Sequence, residues 1–359
     1  MRAIVSHGKQ DFRIESRSAP RPGRGEVLLR PLFNGLCFTD KHLFDGHVER
    51  ADNIVIGHEF SAEIVAIGEA VTGWNKGDRV SVDPRTRCGA CLACRAGLET
   101  LCADGGFLGV RGADGGLADL CIAPAYSLYR LPDGVSPLQA ACVEAACCAT
   151  RAVRSGAIVP GDNVVLLGLD DYNLFVAQWL KDRGGVVLGI DPAPMRRDTA
   201  RRFGAAACLD PARDDLVRAV RATMPFGADV VVVALEDYVP AALDYLALAH
   251  RLARIQGTVI LIRAYGSAPF ARVEPATAWL KELTIRHFGN FFGNEPARGG
   301  RDRGDWQVTL DAMARGVLAA PPPQTEVIPF SALKTAKDIG PLFDRLPASA
   351  AKIVIDMTA

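Results

Sequence analysis

Cys88, Cys91, Cys94 and Cys102 fall within one short stretch, separated by two, two and seven residues. Four thiolates this close can wrap a single ion tetrahedrally. Zn²⁺ suits a closed shell of four sulfurs, the mark of a structural site. Gly89 and Gly97 allow the tight turns that such wrapping needs. An iron–sulfur cluster or four unrelated thiols on a loop are the alternatives. A second set of reactive types lies upstream: Cys37, Thr39, Asp40 and His42, followed by Gly57-His58-Glu59. Thiolate, imidazole and carboxylate together suit a zinc with an open position. Each fragment alone is weak, because a single Cys or His is more often a packed core residue.

Those residues sit in a segment, 1–150, that reads as short strands and turns. Glu26–Pro31, Ser61–Ile67, Arg79–Val82 and Leu120–Ala123 are strand-like, and Gly and Pro punctuate the gaps. Pro137–Ser155, rich in Ala and Cys, reads as a buried helix. The pattern changes near Val159. Strands at Asn163–Gly168, Val186–Asp191, Ala207–Leu209, Asp229–Leu235 and Thr258–Ile262 alternate with helices. The helices fall at Leu174–Arg183, Arg196–Phe203, Asp214–Thr223 and Pro240–Leu252. Alternation with almost wholly apolar strands predicts a parallel sheet covered on both faces. The alternation fades after Gly289. Gly293–Gly304 reads as an exposed loop, and Ala351–Met357 is one more β-like stretch. A nucleotide-type domain is expected at 156–292, with 1–155 and 293–359 forming the other domain.

The chain has 359 residues, 49% hydrophobic and 23% charged, which is an ordinary globular composition with length enough for two domains. Lys+Arg and Asp+Glu are both 41, so a phosphate-backbone binder is not expected, nor a nucleic-acid partner. No stretch approaches the roughly 18 apolar residues of a membrane span, and the N-terminus lacks the apolar core of a signal peptide. A cytoplasmic protein with no membrane partner is expected. In that compartment its ten cysteines are metal ligands or buried thiols rather than disulfides. Cys121, Cys142, Cys147, Cys148 and Cys208 are read as buried thiols.

Taken together, these residues resemble the zinc-containing medium-chain alcohol and polyol dehydrogenases, in the sorbitol, glucose and threonine dehydrogenase-like branch. The resemblance runs along essentially the whole chain. It includes Gly25-Glu26-Val27, Cys37-x-Thr39-Asp40, Gly57-His58-Glu59, Gly77-Asp78-Arg79-Val80, the four-cysteine lobe and Glu144. It continues through Pro160-Gly161-Asp162 and Lys281-Glu282-Leu283-Thr284-Ile285. The family implies an α/β fold, with a GroES-like β-rich catalytic domain beside a Rossmann-like doubly wound parallel sheet. It implies one catalytic and one structural zinc. Cys37 and His58 would hold the catalytic ion, with Glu59 ligating it or close behind. Glu144 matches the position where the polyol and glucose branch carries Glu. Thr39 and His42 match a proton relay, and Asp40 is read as a capping or orienting residue. Such a zinc lowers the pKa of a bound hydroxyl, and the relay carries the released proton. Without that relay, Thr39 would be a turn residue and His42 a surface histidine. Ala62 stands where the family usually has Gly, a change of one methyl group.

The nucleotide-binding segment departs further. Gly168-Leu169-Asp170-Asp171-Tyr172-Asn173 stands where Gly-x-Gly-x-x-Gly is expected, so Gly168 alone of the three glycines is kept. Asp170 or Asp171 could cap the helix in the place of a phosphate. Glu236-Asp237-Tyr238 replaces a small element at a second cofactor contact. Asp191, ending the second strand, matches the acidic residue that bonds the ribose hydroxyls of NAD, and favours NAD over NADP. The resemblance thus implies a zinc- and NAD-dependent oxidoreductase acting on a secondary alcohol of a polyol, sugar or cyclitol, and the family's usual assemblies imply a homodimer or homotetramer. A non-redox zinc enzyme with impaired or lost NAD binding is the alternative, and a non-catalytic binding protein a third reading.

Overall fold

The computed structural model describes residues 1–47, 53–156, 158–235, 244–264, 274–288, 304–323, 325–346 and 352–359. Two units divide the chain. One takes Met1–Glu144, Phe292–Gly316 and Pro323–Ala359; the other takes Ala145–Phe291 and Val317–Pro322.

In the first unit the main antiparallel layer runs in the order Leu128–Arg130, Arg79–Val82, Glu59–Ile67, Glu26–Gly35, Ile353–Asp356, Glu326–Pro329, and Cys121–Pro124 also pairs with Glu26–Gly35. The alternation of Val27, Leu29 with Phe60, Ala62, Ile64 puts one face of each strand into a common core with Val80, Val82 and Cys121. Ala62 is buried in this layer opposite Pro31 and Val80. The strand Glu26–Gly35 is longer than its sequence pattern indicated. It ends at Gly35, directly before Cys37.

The second unit holds six parallel strands among the described residues. Their order is Ala207–Leu209, Val187–Ile190, Val164–Leu167, Ala228–Leu235, Ala253–Ala264, Thr284–His287. In chain order this is 3-2-1-4-5-6, the doubly wound arrangement with its topological switch beside the first strand. Val164–Leu167 and Val187–Ile190 are buried at every position, as an apolar run between covering layers must be.

Pro137–Ser155 forms two helices, Pro137–Ala140 and Val143–Ser155. Ser136 caps the first in a reciprocal box with Gln139. The second helix carries the division between the units, at Glu144/Ala145 rather than 155/156. Its later turns belong with the parallel sheet: Trp179 Nε1 donates to Thr150 at 3.0 Å, and Arg286 donates to the Ser155 carbonyl at 2.7 Å. Val317–Pro322 joins the same unit through Gln178, which both donates to and accepts from Ala319. Helices at Asp305–Ala314 and Ala336–Arg345 occupy the region where the sequence alternation fades. Glu236-Asp237-Tyr238, residues 240–243 and nearly all of Gly293–Gly304 lie outside the described residues.

Candidate active site and metal centres

Cys37 is the N-cap of helix Phe38–Asp45. Its sulfur accepts from Thr39 N at 3.4 Å, while the Asp40 carboxylate accepts from Cys37 N at 3.0 Å, closing a capping box. The positive end of the helix therefore points at the Cys37 sulfur. His58 and Glu59 arrive from the head of the strand Glu59–Ile67. The loop before it is pinned by Gly57 (φ +95°), where a Cβ would lie 2.6 Å from Asn34 Nδ2. One ligand atom each from Cys37, His58 and Glu59 fall within 4.8 Å of one another, and all three residues are buried.

Asp40 has a second contact: its Oδ1 lies 3.4 Å from His58 Nδ1. A carboxylate on one ring nitrogen orients the imidazole and leaves Nε2 as the natural ligand atom. Burial works against a charge on His58, yet Asp40 and the Cys37 thiol hold its pKa well above the ordinary imidazole range. The pocket thus favours positive charge, which suits a divalent cation. Glu59 is also met by Lys352, whose Nζ lies 2.5 Å from Oε2, both groups being buried. Sequence reasoning missed Lys352. The available signal was a lysine beside the wholly apolar Ile353–Ile355. Gly35 makes room for the pair, since a Cβ there would lie 2.6 Å from Glu59 Oε2 and 2.9 Å from Lys352 Cε.

Thr39 Oγ1 lies 3.6 Å from Cys37 Sγ, and His42 follows one turn later on the same helix face. His42 is 1% exposed, so it is no surface histidine. Phe107 packs edge-on to the His58 ring at 5.5 Å and forms an apolar wall. Glu144 is buried at the start of Val143–Ser155 and is not among the three residues gathered within 4.8 Å.

The ligand atoms of Cys88, Cys91, Cys94 and Cys102 also fall within 4.8 Å of one another. Cys91 N and Ala90 N donate to Cys88 Sγ at 3.3 and 3.4 Å, and Cys88 N to Cys102 Sγ at 3.3 Å. Backbone donors from Cys94 and Ala103 pull the Cys91 thiol down to about 6, while desolvation and the neighbouring sulfurs push Cys94 up to about 12. Four crowded sulfurs compete for protons; one tetrahedral Zn²⁺ would replace those protons together. Both constellations therefore fit zinc. As a Lewis acid the catalytic ion would lower the pKa of a hydroxyl beside Thr39.

At the head of the parallel sheet, Gly168 has φ +78°, and a Cβ there would lie 2.5 Å from Ala234 O, so glycine is required. Asp191 is fully buried. Oδ2 accepts from Leu169 N and Oδ1 from Ala193 N, both at 2.8 Å. Burial pushes its carboxyl up against Arg196, those N–H donors and Arg197. Arg197 is committed elsewhere, to the Asp191 and Pro192 carbonyls and to Asp210. Asp170 caps helix Asp171–Leu180 by accepting from Asn173 N at 3.0 Å, and Asp171 accepts from Tyr172 N at 3.1 Å. The turn at Gly168 and the acidic strand end thus fit a dinucleotide; at the helix N-terminus the Tyr172 and Asn173 N–H groups are already engaged by carboxylates of the same chain, which disfavours a pyrophosphate there.

Two family models match the chain, an alcohol dehydrogenase GroES-like domain over residues 23–133 and a zinc-binding dehydrogenase over residues 174–315. It is 36% identical to a sorbitol dehydrogenase of Halalkalibacterium halodurans over 67% of this chain and 72% of that one. It is 32% identical to a 2-dehydro-3-deoxy-L-galactonate 5-dehydrogenase of Pseudoalteromonas atlantica over 73% and 76%. The fold superposes on 2R,3R-butanediol dehydrogenase from Bacillus subtilis with a TM-score of 0.83 at 26% identity, covering 99% of each chain. The chain belongs to the zinc-binding alcohol dehydrogenase family, among its polyol dehydrogenases.

Proposed function

We propose that this protein is a zinc-dependent oxidoreductase that moves hydride between NAD(H) and a secondary alcohol or carbonyl of a polyol, sugar or cyclitol-like substrate. The carrying observation is the buried convergence of Cys37, His58 and Glu59 beside Thr39, in a chain whose relatives are named for polyols and sugar acids. Cys37 and His58 hold the metal, with Glu59 shared between it and Lys352. Glu144 stands by as a further carboxylate on its own helix. Thr39 and His42 take the alcohol proton away from the metal. The unit containing Met1–Glu144 supplies catalysis, and the parallel-sheet unit supplies the nucleotide site, with Gly168 and Asp191 on the adenosine side.

The edge strand Thr284–His287 supports a homodimer or homotetramer, because its side chains are largely exposed and Trp279 and Leu280 stand out beside it at 78% and 70%. No helix among the described residues is long and apolar enough to cross a membrane. None of the ten cysteines is in a disulfide, which suits the reducing cytoplasm. The test is a polyol panel assayed by NADH absorbance on protein of measured zinc content. Zinc-dependent NADH formation with at least one polyol is expected. Fully zinc-loaded protein that oxidises none of them at saturating NAD would overturn the reading.

A further inference from the structure

Resting on the redox reading above, we propose that Asp170 seals the N-terminus of helix Asp171–Leu180 as an internal substitute for the cofactor's pyrophosphate, and that this self-capping lowers the chain's affinity for dinucleotides. The account of N–H groups carries it. A helix start offers free N–H donors, and in dinucleotide sites of this topology the pyrophosphate takes them. Here two of the first-turn N–H groups are engaged within the chain, Asn173 N by Asp170 and Tyr172 N by Asp171, and Leu169 N, ahead of the cap, is engaged by Asp191. Asp170 is 2% exposed, so a phosphate could not share the place without moving it.

Asn173 supplies an independent observation. It stands where the third glycine would let helix and strand approach. Its buried amide instead donates to the carbonyls of Gly168 at 2.6 Å, Leu167 at 3.2 Å and Val232 at 3.4 Å. The helix start is thereby tied to the strand ends by side-chain hydrogen bonds, with no ligand needed to bridge them. Charge acts in the same sense. Asp170 and Asp171 both satisfy the positive end of the helix dipole, and a pyrophosphate would meet two like charges there. Dinucleotide recognition then falls to Gly168, Asp191 and the nicotinamide half.

The experiment is calorimetric titration of NADH into the zinc-loaded full chain and three variants. The native chain is expected to bind in the millimolar range. Asp170→Gly, which frees the Asn173 N–H and removes the charge, should tighten binding by about tenfold or more. Asp170→Asn keeps the cap and removes only the charge, so it should fall between. Asp215→Gly removes the comparable cap of helix Leu216–Thr223, where Asp215 accepts from Arg218 N, and should leave NADH affinity unchanged. Micromolar binding by the native chain overturns the proposal, as does Asp170→Gly binding no tighter while retaining its zinc. If Asp170→Gly does not fold, Asp170→Asn without any tightening overturns it. Activity separates the two readings. Polyol oxidation with a low NAD requirement defeats the seal and leaves the oxidoreductase intact. Tightened NADH binding by Asp170→Gly without oxidation of any polyol defeats the oxidoreductase and leaves the seal.

Discussion

Around Cys37, His58 and Glu59, buried ligand atoms converge with Asp40 behind the imidazole, more negative charge than Lys352 alone balances. Around Asp170, by contrast, the positive end of a helix is met by carboxylates of the same chain. One site is left asking for a cation, and the other has answered its own demand for an anion. Within one family fold, the metal half of the machinery and the nucleotide half can thus diverge separately, because each is a local balance of charge and hydrogen bonds inside its own unit.

The sharpest way to break the comparison is at the metal. Cys37→Ser or His58→Asn should remove one zinc per chain and cut turnover by about a thousandfold, since the ion supplies several kcal/mol of charge stabilisation. Full activity with one zinc fewer would remove the contrast altogether. Lys352→Met leaves Glu59 buried without its cation, a change that costs about 3–5 kcal/mol. Urea unfolding with and without bound zinc should show the larger loss in the metal-free protein, where no second cation faces Glu59. Equal losses would mean that Glu59 does not share the metal's charge.

On the nucleotide side, Asn173→Gly removes a buried amide whose two N–H groups are shared among three carbonyls, and should lower stability by about 2–3 kcal/mol in the same assay. No loss would mean that the helix start is held by something other than that amide. The smallest effect concerns His250, buried on helix Tyr245–Leu252 with Nδ1 accepting from Glu274 N. Burial lowers its pKa below the ordinary 6.5. The neutral ring therefore contributes stability that is present above pH 6.5 and is lost as pH falls toward the folded-state pKa. His250→Gln should flatten the decline in thermal midpoint below that pH. An unchanged slope would exclude His250 as its source.

Much of this was legible in the residue pattern. The strands flanking Gly168, the four-cysteine lobe and the Cys37 and His58 pair follow from apolar runs and ligand spacing, which are local signals. Lys352 was not, because its partner Glu59 lies at the other end of the chain, and the antiparallel pairing of Val354 with Gly35 brings the two segments together. Helix Ala336–Arg345 was hidden by Pro341 within it. The position of Asp170 at a helix start was visible, but that Asp170, Asp171 and Asp191 would engage the N–H groups of Asn173, Tyr172 and Leu169 depended on backbone geometry that spacing does not encode.

Cys37 caps the helix that carries Thr39 and His42, and in the proposed centre it would also be a metal ligand. Losing the ion lets the sulfur take up a proton, and a neutral thiol accepts the Thr39 N–H more weakly than a thiolate does. Demetallation and fraying of that first turn would therefore belong to one cooperative opening, in which the proposed relay would come apart with the centre it serves. Amide exchange at Thr39 and Asp40 would then be a gauge of zinc occupancy, with protection expected to return when the metal is reloaded.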